Sequence, residues 1–331
     1  MRIMDRCIKC GLCVRSCPTI SLRQGNFPGP REVAMVPLRH PGLEVEDLLL
    51  CSMCYRCRSV CPSGIDLPEA MMRMRIEAAP STRDGHQRLL GRIAAHGRSV
   101  DGPSARPRRG SGPLFFPGCV SPARLQDGHA GALAVLDAAG LDPYVPDGLV
   151  CCGAPVRKIG EIERAEGLRL RNLELLEAAD MVVASCPGCV GELNEHYGIG
   201  ALHTVEALYE ARHRLKPATG TKVKVAVHHP CHLSRGVGAH TREQTAQLLM
   251  SLPGVHLVEM DDPSACCGGG GGLMAGYPNA SMELAKGKTN DAKRSGAEVL
   301  VAACPFCVLS LRRVPGMTVV GLEEFMSSRM R

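Results

Sequence analysis

The stretches MVVASCPGC at residues 181–189 and VLVAACPFC at residues 299–307 decide the fold of most of this chain. Each opens with a short apolar run of the kind that forms a buried parallel strand. Each closes on a Cys-Pro-x-Cys motif, which we expect to begin a helix, because a helix N-terminus offers amide donors to an anionic group. Ligands of open parallel sheets bind at the carboxyl ends of the strands, so both motifs fall where a ligand site is expected.

The cysteines around these two stretches form an internal repeat. Each repeat has a single cysteine, then an adjacent pair, then the Cys-Pro-x-Cys motif. The flanking residues repeat as well: FFPGC at 115–119 corresponds to HHPC at 228–231, and CCGAP at 151–155 corresponds to CCGGGGG at 266–272. Such a duplication predicts two similar lobes related by a pseudo-twofold axis. Helices alternating with strands predict a parallel sheet in each lobe. The predicted helices cover residues 130–139, 161–179, 242–251 and 282–294, and a further strand is predicted at 223–227.

The N-terminal part contains two cysteine runs of the form C-x2-C-x2-C-x3-C-P. Bacterial two-cluster ferredoxins have this run, in which three cysteines bind one cluster and the cysteine before proline reaches the other. We therefore assign two cubane [4Fe–4S] clusters, one to Cys7, Cys10, Cys13 and Cys61, and the other to Cys51, Cys54, Cys57 and Cys17. Two zinc sites are the alternative, but zinc gives no reason for the third cysteine of each run or for the proline.

The predicted organisation combines α+β and α/β architecture. A small α-helical domain with two [4Fe–4S] clusters, which includes a helix at 68–79, is followed by two Rossmann-like α/β lobes. The predicted boundaries are 1–97 for the ferredoxin-type domain, 98–113 for a linker, 114–220 for the first lobe and 221–331 for the second lobe. The linker is rich in Gly, Pro, Ser and Arg, so we expect it to be an exposed loop.

The composition of the 331 residues fits a globular protein, with 45% hydrophobic and 22% charged residues. Aromatic residues are only 3% and tryptophan is absent, so the core must be mostly aliphatic. No secretory signal and no apolar run long enough for a membrane span is visible. We therefore expect a cytoplasmic protein whose 18 cysteines bind metal and do not form a disulfide framework. The net charge of +6 slightly favours anionic ligands and does not indicate nucleic-acid binding.

The repeated Cys…CCG…CPxC pattern resembles the cysteine-rich CCG family, whose best-known members are the catalytic subunits of heterodisulfide reductase. The N-terminal runs resemble the electron-input subunit of the same enzyme. In that family, the five cysteines of one repeat hold a noncubane [4Fe–4S] cluster. The resemblance implies two such clusters, one on Cys119, Cys151, Cys152, Cys186 and Cys189, and the other on Cys231, Cys266, Cys267, Cys304 and Cys307. We expect Gly153, Gly268 and Gly269, which follow the cysteine pairs, to let the backbone approach these clusters.

The resemblance implies reductive cleavage of a small anionic disulfide of the coenzyme M–coenzyme B type. Each noncubane cluster would take one sulfur and supply one electron. Basic residues such as Arg157, Lys158 and Arg235 suit an anionic substrate. No flavin or nicotinamide fingerprint is present, so a partner must supply electrons. The resemblance implies a flavoprotein or a haem-b membrane subunit in a hetero-oligomeric complex, which would be the chain's only link to a membrane.

Two other functions remain open. Iron–sulfur subunits of flavin-dependent glycolate, lactate or glycerol-3-phosphate dehydrogenases have the same two-part layout and pass electrons towards quinone. A thiol-coupled reductase with a different acceptor is the third possibility. His228, His229 and His232 surround Cys231, and we expect them to make hydrogen bonds to cluster sulfur or backbone in preference to donating protons to a leaving thiolate.

Overall fold

The computed structural model describes residues 6–22, 27, 29–32, 48–77 and 83–330. The N-terminal part is built from short helices, with a single turn of 3-10 helix at Ile20–Leu22. The predicted helix at 68–79 is present as α3, and residues 78 and 79 lie outside the described residues. The helices are α1 (Leu12–Arg15), α2 (Arg56–Ser59), α3 (Leu67–Glu77) and α4 (Asp84–His96).

The first lobe contains a parallel sheet with the strand order β1-β2-β3. Tyr144 pairs in parallel with Leu114 on the outer side of β1. The strands are β1 (Leu114–Phe116), β2 (Val182–Ala184) and β3 (Leu202–His203). The helices are α5 (Val120–Arg124), α6 (Gln126–Ala138), α7 (Ala154–Arg157), α8 (Ile162–Glu177), α9 (Pro187–Glu192) and α10 (Thr204–Glu210), with a π-helical turn at Leu193–Tyr197 and a 3-10 turn at Arg212–Arg214.

The second lobe contains a parallel sheet with the strand order β5-β4-β6-β7. This order matches the first lobe, where Tyr144 takes the position of β5. The strands are β4 (Val223–His228), β5 (Val255–Val258), β6 (Val299–Ala302) and β7 (Thr318–Gly321). The helices are α11 (His240–Met250), α12 (Leu273–Gly276), α13 (Pro278–Arg294), α14 (Pro305–Leu311) and α15 (Leu322–Ser327), with a π-helical turn at Leu233–Val237.

The predicted elements of the lobes are present, with differences at their ends. Helix α13 begins four residues before the predicted 282–294, because Pro278 occupies its first turn, where proline is favoured. The linker 98–113 is mostly exposed, as expected, but it is held to the first lobe: Arg108 pairs with Val145 in an antiparallel bridge and donates to the Asp137 carboxylate at 2.8 Å. Within the described ranges, no helix combines the length and the apolar character needed to cross a bilayer.

One hydrophobic core runs through both lobes. Phe115 and Val183 of the first sheet belong to the same buried cluster as Leu248 and Phe325 of the second lobe. The last helix of each lobe packs on the other lobe: α15 of the second lobe packs on α6 of the first, and α10 of the first lobe packs on α11 of the second. Neither lobe therefore completes its core alone.

A buried arginine joins the N-terminal part to both lobes. The Arg75 side chain on α3 is fully buried. Its Nη2 donates to the carbonyl oxygens of Leu48 and Cys51, both at 2.7 Å. Its Nη1 donates to Gly271 O at 3.0 Å in the second lobe and to Lys158 O in the first. One guanidinium thus holds backbone from all three parts of the molecule.

We predict that Arg75→Met undocks the N-terminal part, because four buried carbonyl oxygens lose their donors and each unpaired group costs about 1–3 kcal/mol. The thermal midpoint, measured anaerobically by circular dichroism, should fall, and proteolysis within residues 98–113 should become faster. Arg73→Met is the matched control, since Arg73 lies on the same helix but is exposed and pairs with Glu69 at the surface. Equal effects of the two substitutions would contradict the prediction.

Candidate metal centres

None of the 18 cysteines forms a disulfide bond. Those of the two lobes are buried without exception, whereas Cys10 in the first N-terminal run is exposed. Buried thiols resist ionisation: burial raises the pKa of Cys51 and of Cys231 to about 12. Metal binding must displace these protons, so it is coupled to folding of the sites.

The two N-terminal runs share one backbone conformation. The backbone is left-handed at Lys9 and Gly11 in the first run and at Met53 and Tyr55 in the second. Non-glycine residues adopt this conformation rarely, so its repetition indicates a loop shaped around a ligand. The loops enclose two small cavities, one lined by Cys7, Cys10, Cys13 and Cys61 and the other by Cys17, Cys51, Cys54 and Cys57. The structure thus brings the fourth cysteine of each run to the other run, as the spacing predicts.

In the lobes, Cys119, Cys186, Cys231 and Cys304 lie just beyond the carboxyl ends of β1, β2, β4 and β6, respectively. Cys186 and Cys304 are the N-cap residues of α9 and α14, and a proline occupies the first turn of each helix. The prediction that both Cys-Pro-x-Cys motifs begin helices is therefore confirmed. The amide groups of these first turns face the region where the cysteine side chains converge.

A cavity of about 230 Å³ between the lobes brings the two cysteine sets together. Every cysteine of both sets except Cys266 lines it. The Sγ atoms of Cys267 and Cys307 are 3.2 Å apart, and the thiols of Cys186 and Cys304 share a hydrogen bond across the lobe boundary. Cysteines of both repeats therefore line one cavity.

Cys266 faces the N-terminal part. Its Sγ lies 3.4 Å from Ser52 Oγ, and it shares a hydrogen bond with the Cys54 thiol that raises the pKa of Cys266 and lowers that of Cys54. Cys54, Cys231 and Cys266 form one buried cluster. The second lobe is thus in direct contact with the cavity formed by the second N-terminal run.

The glycines after the cysteine pairs serve mainly to bring helices close. A Cβ atom at Gly268 would lie 2.5 Å from Ser281 O on α13, and one at Gly153 would lie 3.3 Å from Ala165 O on α8. Gly153 and Gly268 also have positive φ angles, which favour glycine. Only Gly269 of the three predicted glycines lines the central cavity.

The basic residues expected near an anionic ligand have different roles. Arg157 donates to the buried Glu192 carboxylate at 2.6 Å, and Arg235 donates to Cys54 O at 2.8 Å. Lys158 and His232 do line the central cavity, and their Nζ and Nε2 atoms are 3.3 Å apart. Burial lowers the pKa of His232 to about 3, so its ring is neutral at physiological pH.

The donor sets fit iron–sulfur chemistry. Each N-terminal cavity offers four sulfurs, and each lobe offers five, with no carboxylate that would favour a hard cation. Two residues that the sequence did not indicate lie beside the cysteines. Ser99, from the linker, lies with its Oγ 2.9 Å from Cys119 Sγ, and Arg75 lies beside Cys51.

Comparison with known proteins agrees with this geometry. The cysteine-rich CCG domain matches residues 114–194 and 225–312, and the 4Fe-4S dicluster domain matches residues 3–65. The chain belongs to the CCG family. It is therefore an iron–sulfur protein with a dicluster domain in front of two CCG lobes.

Several proteins of known or assigned role are similar to this CCG protein. A subunit of the fumarate reductase (CoM/CoB) of Methanothermobacter marburgensis is 32% identical, over 92% of this chain and 67% of the relative. A subunit of the dihydromethanophenazine:CoB–CoM heterodisulfide reductase of Methanosarcina acetivorans is 27% identical, over 93% and 88%. The probable glycolate oxidase iron–sulfur subunit of Bacillus subtilis is 26% identical, over 98% and 90%.

A solved structure supports the fold alone. The crystal structure of a hypothetical protein from Helicobacter pylori superposes with a TM-score of 0.61 at 10% identity, over 95% of this chain and 69% of that chain.

We predict that Cys61→Ser removes the cluster of the first N-terminal run, because Cys61 shares a cavity with Cys7, Cys10 and Cys13. About four irons per chain should be lost, while the electron-spin signal of the second cluster remains. Cys17→Ser, the reciprocal control, should remove the other cluster. The crossed arrangement would be contradicted if Cys61→Ser lost the cluster of the second run and Cys17→Ser lost the cluster of the first run.

Proposed function

We propose that this chain is the iron–sulfur catalytic subunit of a disulfide reductase related to heterodisulfide reductase. The observation that carries the proposal is the single cavity of about 230 Å³ lined by cysteines of both CCG lobes. Cleavage of a disulfide needs two electrons, and an iron–sulfur cluster delivers one at a time. Two clusters facing one cavity satisfy that requirement, whereas an electron relay has no need of a shared cavity.

In the proposal, the cubane ligand sets follow the N-terminal cavities and the lobe sets follow the two repeats, so that Cys266, which faces Cys54 and does not line the central cavity, is included as the fifth cysteine of the second lobe. Two cubane [4Fe–4S] clusters occupy the N-terminal cavities with the crossed ligands described above. Two noncubane [4Fe–4S] clusters, each held by the five cysteines of one lobe, supply one electron and one thiolate-binding iron apiece. The matching strand orders and the exchanged helices α10 and α15 support a pseudo-twofold relation between the lobes.

The electron path follows from the contact between Cys54 and Cys266. Electrons enter at the first run, which contains the exposed Cys10, and pass to the second run, which contains the buried Cys54. They then reach the second lobe, whose cysteines touch Cys54, and finally the first lobe. Across the lobe boundary, the contact between Cys186 and Cys304 connects the two sets.

The substrate of the proposal is a small anionic disulfide of the coenzyme M–coenzyme B type. Two electrons and two protons convert it to two thiols, so the sulfur–sulfur bond breaks and each sulfur gains one proton. Lys158 supports the choice of an anion, because its ammonium group lies at the cavity wall beside Gly188 and His232. The names of the relatives from Methanothermobacter and Methanosarcina support the same class.

The proposed setting is a hetero-oligomeric complex. The named relatives are subunits, so a flavoprotein or a haem-b membrane subunit is proposed as electron donor. The chain would then be cytoplasmic, with any membrane contact made through that partner. The alternative is an electron-relay subunit of a flavin-dependent glycolate, lactate or glycerol-3-phosphate dehydrogenase. Full-length similarity to the Bacillus subtilis glycolate oxidase subunit favours that alternative.

We predict about 16 irons per chain after anaerobic purification, because four clusters of four irons each are proposed. Iron and acid-labile sulfide analysis measures this directly. A value near eight would leave only the N-terminal clusters and would contradict the four-cluster arrangement.

Replacing Cys152 or Cys267 by serine should abolish reduction of a disulfide by an artificial donor, because each lobe must supply one electron. Coenzyme M–coenzyme B disulfide, with reduced viologen as donor, is the substrate to test, and the dithionite-reduced signals of the N-terminal clusters are the control for intact electron entry. The relay function predicts a different outcome: no turnover of any disulfide by the fully loaded wild type, and transfer from a hydroxy-acid flavoprotein to quinone.

A further inference from the structure

His228 is the last residue of β4, and only 2% of it is exposed. The Pro263 carbonyl oxygen lies near its ring, but neither ring nitrogen makes a well-aligned hydrogen bond to a nitrogen or oxygen atom, which is unusual for a buried imidazole. Its ring lies beside Cys267 and Cys307, with a ring nitrogen and the two Sγ atoms all within 4.8 Å of one another. The imidazole is therefore aimed at sulfur in the second lobe.

The first lobe has an apolar side chain at the matching position. His228 pairs in register with Ala302 of β6, and Phe116 pairs in register with Ala184 of β2. Phe116 is buried at 1% exposure and belongs to the same buried cluster as Cys152, Cys186 and Cys189. The two lobes thus present an imidazole and a phenyl ring, respectively, to otherwise equivalent cysteine sets.

The lobes also differ in a buried side chain on the helix that packs against the glycine after each cysteine pair. The contacts of Gly268 with Ser281 and of Gly153 with Ala165 align α13 with α8. At matching positions beyond these contacts, α13 carries Lys288 and α8 carries Asn172, and both side chains are buried.

The Lys288 ammonium donates to Asp262 O and lies 3.9 Å from Asp291, whereas Asn172 makes neutral hydrogen bonds to Val150 and Cys151. Burial lowers the pKa of Lys288 to about 8, so the group remains mostly charged at neutral pH.

A third difference between the lobes concerns the residue three positions after each Cys-Pro-x-Cys motif. Glu192 of α9 and Ser310 of α14 follow their Cys-Pro-x-Cys motifs at the same distance. The Glu192 carboxylate is 5% exposed and is paired with Arg157. Ser310 instead donates from Oγ to Cys267 O at 2.7 Å. At these three pairs of positions, the second lobe therefore has more positive charge and more hydrogen-bond donors than the first, whereas Lys158 lies near cysteines of both sets, Cys231 and Cys186.

We propose that the two lobes hold clusters of unequal reduction potential, and that the cluster of the second lobe is the more positive one because His228 and Lys288 stand where the first lobe has Phe116 and Asn172. Hydrogen bonds to sulfur and nearby positive charge raise the potential of an iron–sulfur cluster. The inference rests on the proposed function, in that each lobe binds a cluster. His228 acts here as a positioning and tuning residue that donates from a ring N–H to Cys267 sulfur.

The order in which the clusters of the two lobes are reduced follows from their unequal reduction potentials. The second lobe also contacts Cys54, the cysteine through which electrons arrive. The first electron delivered to the pair of lobes therefore remains on the second lobe, and the first lobe is reduced only after it. The half-reduced protein has one defined form instead of two equivalent ones.

Anaerobic redox titration of the whole chain, followed by electron-spin resonance, tests the inference. His228→Phe gives the second lobe the residue of the first. At a fixed solution potential, we expect the ratio of reduced to oxidised second-lobe cluster to fall about tenfold, which equals a shift of about 59 mV to more negative potential. Lys288→Asn should shift it in the same direction. Phe116→His, the reciprocal variant, should shift the first-lobe cluster to more positive potential.

His228→Gln keeps an N–H donor of similar reach and should retain most of the wild-type potential, which separates the hydrogen bond from a general packing effect. If both His228→Phe and Lys288→Asn keep full iron content and unchanged reduction potentials, this inference is overturned, but the proposed function is not. Iron lost from the second lobe in His228→Phe would also overturn it, because His228 would then be a ligand. A wild-type chain without iron in either lobe would instead refute the proposed function.

Discussion

Arg75 donates to four backbone carbonyl oxygens that belong to the N-terminal part, the first lobe and the second lobe. Removing a charged guanidinium from water is costly unless other groups compensate for the lost hydration. In the described part of the chain, no carboxylate pairs with it. The four carbonyl dipoles compensate in part, and an anionic iron–sulfur cluster beside Cys51 would supply the remaining negative charge. Docking of the N-terminal part and loading of its buried cluster therefore stabilise each other.

Metal binding explains how this chain folds with so few aromatic residues. The lobe sheets consist of strands of two to six residues, and many helices have only one or two turns. Iron bound at the cysteines would add to the stability that the buried apolar clusters supply. Cysteine thiols from both lobes converge on one cavity, and cross-linking them through iron would join strand ends that the hydrophobic core alone does not hold.

The local parts of the structure could be predicted from the sequence. The apolar runs before Cys186 and Cys304 form the expected strands, because their pattern and the following proline are local signals. The gathering of Cys61 with the first N-terminal run was predictable from spacing. Arg75 was not, because its neighbour Arg73 has the same local sequence environment and is exposed. Only tertiary contacts distinguish the two.

The same limit applies to residues near the cavity. The repeat itself indicated matching positions in the two lobes, but the partnerless ring of His228 becomes visible only when the strands are assembled. Arg157 and Arg235 carried the same charge signal as Lys158, yet their donors are directed to Glu192 and Cys54. Charge can be counted in a sequence, whereas the direction of a side chain depends on its neighbours in space.

The exchanged helices bear on how such a chain could have arisen. Each lobe covers its core with a helix from the other lobe, in the reciprocal manner that two identical subunits would use around a twofold axis. A gene encoding one lobe would yield a chain with an exposed apolar face and a terminal helix that matches that face on a second copy. Duplication and fusion of such a gene would convert a dimer into one chain. Once joined, the two halves could change independently. A site made of two identical halves could then become one in which electrons enter through one half first.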